Sequence, residues 1–178
     1  GLGDVYKRQA VNCSLLGIGE RTGNVPLEAM VFEYASLRGT MNGMHPEVIT
    51  EIADYIKNET DYDLPPMTPF VGDNFNLTRA GIHADGMMKN PEIYNIFDTE
   101  SILDRPPKVS VTNTSGVAGV AFWVNQYNKK LGLPAVSKND PVVVKIYSWV
   151  CEQYDQGRIT MISDEELEEQ YKKCSRIE

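Results

Sequence analysis

The sequence is poor in the residues that build disulfide frameworks and transition-metal sites. Its 178 residues include three scattered cysteines, with no C-x-x-C pair, and only two histidines, His45 and His83. An odd number of unpaired cysteines excludes a disulfide scaffold or a thiolate zinc site and is typical of a cytoplasmic protein. Two distant histidines cannot by themselves form a transition-metal site.

Long apolar runs and an excess of positive charge are also missing. No segment reaches the roughly 18–20 consecutive apolar residues of a membrane span. Lysine and arginine number 17 against 25 aspartates and glutamates, so the formal net charge is −8. An acidic chain repels phosphate backbones. The sequence therefore predicts neither a membrane nor a nucleic-acid partner.

Enough hydrophobic sequence is present to fill the core of a domain. Hydrophobic residues make up 42% of the chain, which excludes a disordered tail. Residues 1–9 are polar, aperiodic and without an initiator methionine, so we interpret them as a non-native scar. The fold is therefore expected to begin at residue 10.

The first part of the chain is predicted to contain a strand followed by two helices. Apolar and polar residues alternate over residues 10–18, which is typical of a strand. Apolar residues then recur at helical spacing from Leu27, with Gly39 as the stop, and a second helix is predicted over residues 46–58. A strand followed by a helix makes a βα unit.

The second part is predicted to be mainly helical, with a boundary between residues 68 and 69. Three prolines within residues 61–76 disfavour helix there, and residues 108–112 alternate like a short strand. Capping residues predict three later helix starts, at Ser115, at Asp140 followed by Pro141, and at Ser163 with Glu166 in a capping box.

The most informative segment is residues 17–24, G-I-G-E-R-T-G-N, where the predicted strand leads towards a helix. Its glycines permit backbone angles that other residues resist. Thr22 stands where the third glycine of G-x-G-x-x-G would be, so we reject dinucleotide binding. Two interpretations remain: a tight loop in which Glu20 pairs with Arg21 or a neighbour and Asn24 caps the helix, or an active site at the end of a strand.

The histidines and Tyr94 leave alternatives open. His83 lies between glycines on a polar segment and can act as an acid or base near neutral pH, but a lone histidine is more often a surface residue. His45 directly precedes Pro46 and is better explained by capping or exposure. Tyr94 is a hydrogen-bonding phenol or a core aromatic.

Two motifs together resemble those of a known enzyme family. They are residues 12–24, N-C-S-L-L-G-I-G-E-R-T-G-N, and residues 80–86, A-G-I-H-A-D-G. Their order and spacing are similar to those of the 2-isopropylmalate synthase, homocitrate synthase and citrate (Re)-synthase group of metal-dependent Claisen enzymes. Within this group, three segments most resemble those of the citrate (Re)-synthases: residues 79–86, residues 94–98 and the tail through residues 119–123.

The resemblance implies an α/β fold. Members of the group have a TIM (β/α)8 barrel followed by a mainly α-helical subdomain that reaches over the barrel of the partner subunit. Residues 10–68 are then expected to be the C-terminal end of the barrel, with its last two βα units, and residues 69–178 the subdomain. A complete barrel takes about 250 residues, so we expect a C-terminal fragment of a homodimeric enzyme.

The resemblance also implies roles for four residues. Asn24 matches the metal ligand of the seventh barrel strand, and Glu20 matches the acidic residue of the same loop, which is close to metal and substrate and is assigned catalytic and substrate-binding roles. His83 matches the subdomain histidine that assists proton transfer, and Tyr94 the tyrosine that accompanies it. The first-strand aspartate and the H-x-H pair of the family's metal site have no counterpart here, so the isolated chain is expected to be inactive.

The implied chemistry is a Claisen condensation of acetyl-CoA with a 2-oxo acid. A divalent metal, Mn²⁺ in the first instance and Mg²⁺ or Co²⁺ otherwise, makes the keto group electrophilic, and thioester hydrolysis then releases CoA. Oxaloacetate is the favoured acceptor, with 2-oxoisovalerate or 2-oxoglutarate as alternatives of the same class. A catalytically silent assembly fragment and a binding module without enzymatic ancestry are the alternatives of another class.

Overall fold

The computed structural model describes residues 10–175, so the predicted scar at residues 1–9 lies outside them. No helix within this range is long and apolar enough to cross a membrane. In chain order the elements are α1 (Leu27–Arg38), α2 (Ile49–Thr60), β1 (Leu77–Thr78), α3 (Gly81–Lys89), α4 (Thr99–Leu103), β2 (Lys108–Val109), α5 (Gly116–Leu131), α6 (Pro141–Asp155) and α7 (Asp164–Ser175). Short 3₁₀ turns lie at Leu15–Gly17, Pro46–Val48 and Pro91–Ile93.

The chain divides into two compact units. The described residues up to Phe75, together with α4 and its flanks (Thr99–Arg105), form unit 1. Asn76–Asp98 and the described residues from Pro106 onward form unit 2. The domain boundary predicted between residues 68 and 69 thus falls inside unit 1.

The prediction of a strand over residues 10–18 is wrong. In the described part of this segment, Ser14 forms an isolated parallel bridge with Pro26, and Leu15–Gly17 is a 3₁₀ turn. A parallel strand is stabilised by a regular ladder of hydrogen bonds to a neighbouring strand. Here the pairing ends after the two bonds that Ser14 makes, from its amide to the carbonyl of Val25 and from the amide of Leu27 to its carbonyl.

Helix α1 is confirmed, but its predicted apolar face is not its buried face. Gly39 ends the helix in the left-handed region, at φ 67°, as its lack of a Cβ permits. Leu27 and Leu37 are 42% and 75% exposed. The buried side chain of α1 is that of an acid, Glu28.

Unit 2 is organised around the bundle of α5, α6 and α7. Its fully buried core side chains include Val120, Val124, Val143, Ile146 and Leu167. They recur at helical spacing, so one stripe of each helix is removed from water.

The predicted fold class is confirmed in coarse form. Residues 10–175 are mostly helical with one two-stranded parallel sheet, β1 with β2, and are compatible with part of an α/β protein.

Two of the three predicted helix caps are confirmed. The carboxylate of Asp140 accepts from the amide of Val142 at 2.9 Å. Ser163 and Glu166 form the capping box, with bonds of 2.9 and 3.3 Å between each side chain and the other residue's amide. The prediction that Ser115 caps with its side chain is wrong, because its hydroxyl bonds back to the amide and carbonyl of Thr112.

The bidentate ion pair between Arg158 and Glu166 gives a pH-dependent contribution to stability. Both guanidinium–carboxylate bonds are 2.7 Å long, and Arg158 is the main reason that the pKa of Glu166 is lowered to about 2. A folded-state pKa below the unfolded value stabilises the fold above about pH 4.5, and this contribution is lost as the pH falls towards 2.

We expect Glu166→Gln to lower the free energy of unfolding at pH 7 by about 1 kcal/mol, because the partly exposed pair is screened by solvent. The deficit should shrink between pH 4.5 and pH 3. Thermal unfolding of both proteins across this range measures it. Glu169→Gln is the matched control, since the pair of Glu169 with Lys173 is largely exposed. A deficit that stays constant with pH would contradict the assignment.

Candidate functional site

The loop of residues 17–24 is a closed turn in unit 1 held by backbone hydrogen bonds. The amide of Asn24 donates to the carbonyl of Gly17 at 2.9 Å, and the amide of Gly23 donates to that of Glu20 at 3.0 Å. Gly23 has φ 88°, and a Cβ there would lie 2.5 Å from the Gly17 oxygen. Only glycine fits this position, so the motif's third glycine is required by the turn itself.

The side chain of Asn24 is oriented by the same turn. Its Nδ2 donates to the carbonyl of Ile18 at 3.2 Å, and Gly19 has no Cβ to obstruct the amide. Asn24 does not cap α1, because the N-cap position belongs to Pro26, without a side-chain bond. With Nδ2 bonded to the backbone, Oδ1 is the atom left to accept from a ligand or to coordinate a metal.

Glu20 lies at the tip of the turn and is exposed. Within the described residues it forms no ion pair with Arg21, so the structure does not support a loop held by that pair. Arg21 adopts φ 58°, a left-handed conformation that keeps the turn tight. An exposed carboxylate in the same turn as Asn24 can contact a bound polar ligand.

The second candidate site, in unit 2, brings His83 and Tyr94 together. His83 is on α3 and Tyr94 follows the 3₁₀ turn Pro91–Ile93, and their ring centroids are 4.8 Å apart with an interplanar angle of 50°. The Nδ1 of His83 lies 3.2 Å from the hydroxyl of Thr78, at the end of β1. With Nδ1 bonded, Nε2 is the ring nitrogen left for a substrate.

Gly86 makes room for this pair. A Cβ at Gly86 would lie 2.5 Å from Cε2 of Tyr94. The glycine on α3, one turn after His83, therefore lets the tyrosine ring pass over the helix and reach the imidazole. The other glycine of the G-I-H-A-D-G motif makes a different contact. A Cβ at Gly81 would meet the backbone of Ser115 rather than the ring of Tyr94.

The acid of the same motif has a structural role. Asp85 is paired with Lys138 and, at 2.6 Å, with Lys89. These two lysines, Lys138 foremost, lower its pKa to about 2. Since Lys138 lies between α5 and α6, Asp85 ties α3 to that connection and is not available as a base.

No complete metal site exists among residues 10–175, where no three histidine, cysteine or acidic side chains cluster. His45 has a partner of its own within unit 1. Its Nδ1 contacts the carboxylate of Glu47 at 2.8 Å on an exposed surface. An amide oxygen is a hard ligand that suits Mn²⁺ or Mg²⁺, so the donor chemistry of Asn24 fits the expected metal as one ligand of several.

Sequence reasoning missed two residues next to these sites. Thr78 lies five positions before His83, and no spacing rule links a strand residue to a helix residue beyond a turn. Glu28 lies in the first turn of α1, where an acid is ordinarily explained by the helix dipole. Nothing in the local pattern marks its burial, because the predicted apolar face of α1 is not the face that the structure buries.

Comparison with known proteins gives a consistent group of relatives, although no family model matches the chain. It is 54% identical over 164 residues to a citrate (Re)-synthase of Clostridium kluyveri, a match that covers 92% of this chain and 36% of that protein. It is 49% identical over 169 residues to a citrate (Re)-synthase of Syntrophus aciditrophicus, covering 95% and 27% respectively.

A more distant relative has a different name. A 2-phosphinomethylmalate synthase of Streptomyces hygroscopicus is 34% identical over 160 residues, which are 89% of this chain and 35% of that protein. The chain thus spans about a third of the length of the curated relatives it matches. Within that third, the match takes in almost all of the residues described above.

Proposed function

Because the chain belongs to the family of 2-isopropylmalate synthases, homocitrate synthases and citrate (Re)-synthases, we propose that it is part of an acyltransferase that condenses acetyl-CoA with oxaloacetate to form citrate. The observation that carries this proposal is the His83–Tyr94 pair in a chain 54% identical to a citrate (Re)-synthase. We propose a cytoplasmic homodimer in which residues 10–68 contribute to a TIM barrel and residues 69–178 to the helical subdomain.

The reaction needs a proton to leave the methyl group of acetyl-CoA and a proton to reach the new alkoxide. His83 can exchange a proton through Nε2 while Nδ1 stays bonded to Thr78. Tyr94 packs against the ring, where its hydroxyl can donate to a developing oxyanion. The enolate carbon then bonds to the keto carbon, and hydrolysis of the thioester releases CoA and the carboxylate.

The proposed metal would be held partly by Asn24 through Oδ1, and Glu20 would contact the metal-bound substrate. A divalent cation at that position supplies Lewis-acid polarisation of the keto carbonyl. The backbone bond from Nδ2 to Ile18 supports the proposal, because it engages the amide nitrogen and leaves Oδ1 as the side-chain atom that can coordinate a cation. The remaining ligands would come from outside the described residues.

A chimaera tests the proposal. Residues 10–175 of this chain replace the matched segment of the Clostridium kluyveri citrate (Re)-synthase, and CoA release and citrate formation are measured with acetyl-CoA, oxaloacetate and Mn²⁺. We expect turnover by the chimaera and none by the isolated chain. A correctly assembled chimaera with no activity would favour the silent assembly fragment.

Parallel assays with 2-oxoisovalerate and 2-oxoglutarate identify the acceptor. We expect oxaloacetate to be preferred, since the two citrate (Re)-synthases are the relatives that match at 49% and 54% identity. The chimaera reports only the acceptor preference that residues 10–175 permit. Rejection of oxaloacetate with turnover of another 2-oxo acid would contradict the citrate assignment while preserving the condensation chemistry.

A further inference from the structure

Glu28 is an anomaly in unit 1, because it is a carboxylate in an apolar environment. Its side chain is 4% exposed. It lines a largely apolar cavity of about 100 Å³ together with Leu16, Val31, Met44, His45 and Ile52. Burying a charged group is costly unless hydrogen bonds compensate it. A buried acid on an otherwise half-exposed helix therefore requires a specific explanation.

One carboxylate oxygen has a defined partner in the turn that precedes the motif loop. Oε2 of Glu28 accepts from the backbone amide of Leu16 at 3.2 Å. Oε1 is buried and has no hydrogen-bond partner within the described residues. The bond to Leu16 is thus the one compensating interaction seen for this group, and its apolar surroundings strengthen it.

The partner residue is the point at which the chain turns into the loop. Leu16 has φ 55° and ψ 16°, a left-handed conformation that is unfavourable for leucine. Gly17, the next residue, also has a positive φ, and its carbonyl accepts from the amide of Asn24. Two hydrogen bonds, joined by the peptide bond between Leu16 and Gly17, therefore link Glu28 to Asn24.

We propose that Glu28 is a positioning residue that holds the loop of residues 17–24 in the conformation that presents Asn24 and Glu20. The charged acceptor compensates the strained turn at Leu16, and the turn fixes the backbone on which the Asn24 amide depends. This role deepens the proposed function, because it concerns the loop assigned to metal and substrate. The loop conformation itself can be tested without any turnover.

Native-state hydrogen exchange of the 178-residue chain provides the test. In Glu28→Leu, which removes the acceptor, we expect the amides of Leu16 and Asn24 to exchange about 10- to 100-fold faster, which corresponds to a hydrogen bond to a charged group. Glu28→Gln keeps a hydrogen-bond acceptor, so the exchange rates of the same two amides should rise by less than about 10-fold. Glu33→Leu, on the exposed side of the same helix, is the matched control and should leave both amides unchanged.

Two results would overturn the positioning role. One is unchanged exchange at Leu16 and Asn24 in Glu28→Leu. The other is equal acceleration of the α2 amides (Ile49–Thr60), which would make Glu28 a general stability element. If Glu28→Leu unfolds the chain, Glu28→Gln is used instead. Faster exchange at the Leu16 and Asn24 amides than at the α2 amides would support the positioning role, and equal acceleration of both would make Glu28 a general stability element.

The link to the proposed function is tested separately in the chimaera. There Glu28→Gln should raise the Mn²⁺ concentration needed for half-maximal activity while leaving kcat at saturating Mn²⁺ within about threefold, as expected of a group that acts through another. An inactive chimaera with a normal exchange pattern would count against the proposed function and leave the positioning of the loop supported. Lowered kcat with an unchanged Mn²⁺ requirement would contradict the positioning of the metal ligand.

Discussion

Replacing His83 by glutamine in the chimaera should lower kcat about 10²- to 10⁴-fold, the usual contribution of a positioned acid or base. Glutamine keeps a hydrogen-bonding group of similar length but cannot exchange a proton near neutral pH. Because the His83 side chain is exposed and packs against the exposed ring of Tyr94, the melting temperature should hardly change. Steady-state kinetics with acetyl-CoA and oxaloacetate, with thermal unfolding in parallel, measure both effects.

His45→Gln is the matched control for this substitution. His45 is the other histidine of the chain and forms an exposed contact with Glu47. We expect kcat to remain within about twofold of the unsubstituted chimaera, since surface substitutions of this kind rarely have larger effects. Equal losses for the two variants, or an unaffected His83→Gln, would remove His83 from the proposed mechanism.

The local elements could be predicted from the sequence where chemistry within a few residues decides the structure. Gly39 ends α1, Asp140 begins α6, and Ser163 with Glu166 begins α7, all through contacts within one helical turn. The strand over residues 10–18 could not be predicted in this way. Its alternating pattern was present, but a strand also needs a neighbouring ladder, and no local pattern supplies one.

The same distinction between local and long-range contacts applies to the candidate sites. The need for glycine at position 23 follows from a turn within the motif, whereas Thr78 and Glu28 act through contacts that only the folded chain brings together. The pairing of His83 with Tyr94 was expected from the family resemblance. Its physical basis, a missing Cβ at Gly86, emerged only from the coordinates. The metal and substrate roles of Asn24 and Glu20 stay predictions.

Replacing each glycine of the G-I-H-A-D-G motif by alanine should affect a different property: stability at Gly81 and catalytic rate at Gly86. At Gly81 the new methyl group would meet the carbonyl oxygen of Ser115. That oxygen accepts the hydrogen bond of Gly119 in the first turn of α5, and the Ser115 side chain is fully buried. Backbone held on both sides cannot give way, so we expect Gly81→Ala to cost about 1–3 kcal/mol, the usual range for overpacking.

At Gly86 the new methyl group would meet the ring of Tyr94, which is 44% exposed and free to rotate away. Helix α3 gains up to about 1 kcal/mol from alanine, so the melting temperature should hold or rise. Losing the ring from His83 should nevertheless lower kcat of the chimaera about 10- to 100-fold, because small misplacements of catalytic groups are costly. Thermal unfolding and kinetics of both variants therefore separate packing from catalysis within one motif. A stable, fully active Gly86→Ala would show that Tyr94 has no part in the reaction, and a stable Gly81→Ala would mean that α3 and α5 are not held at this contact.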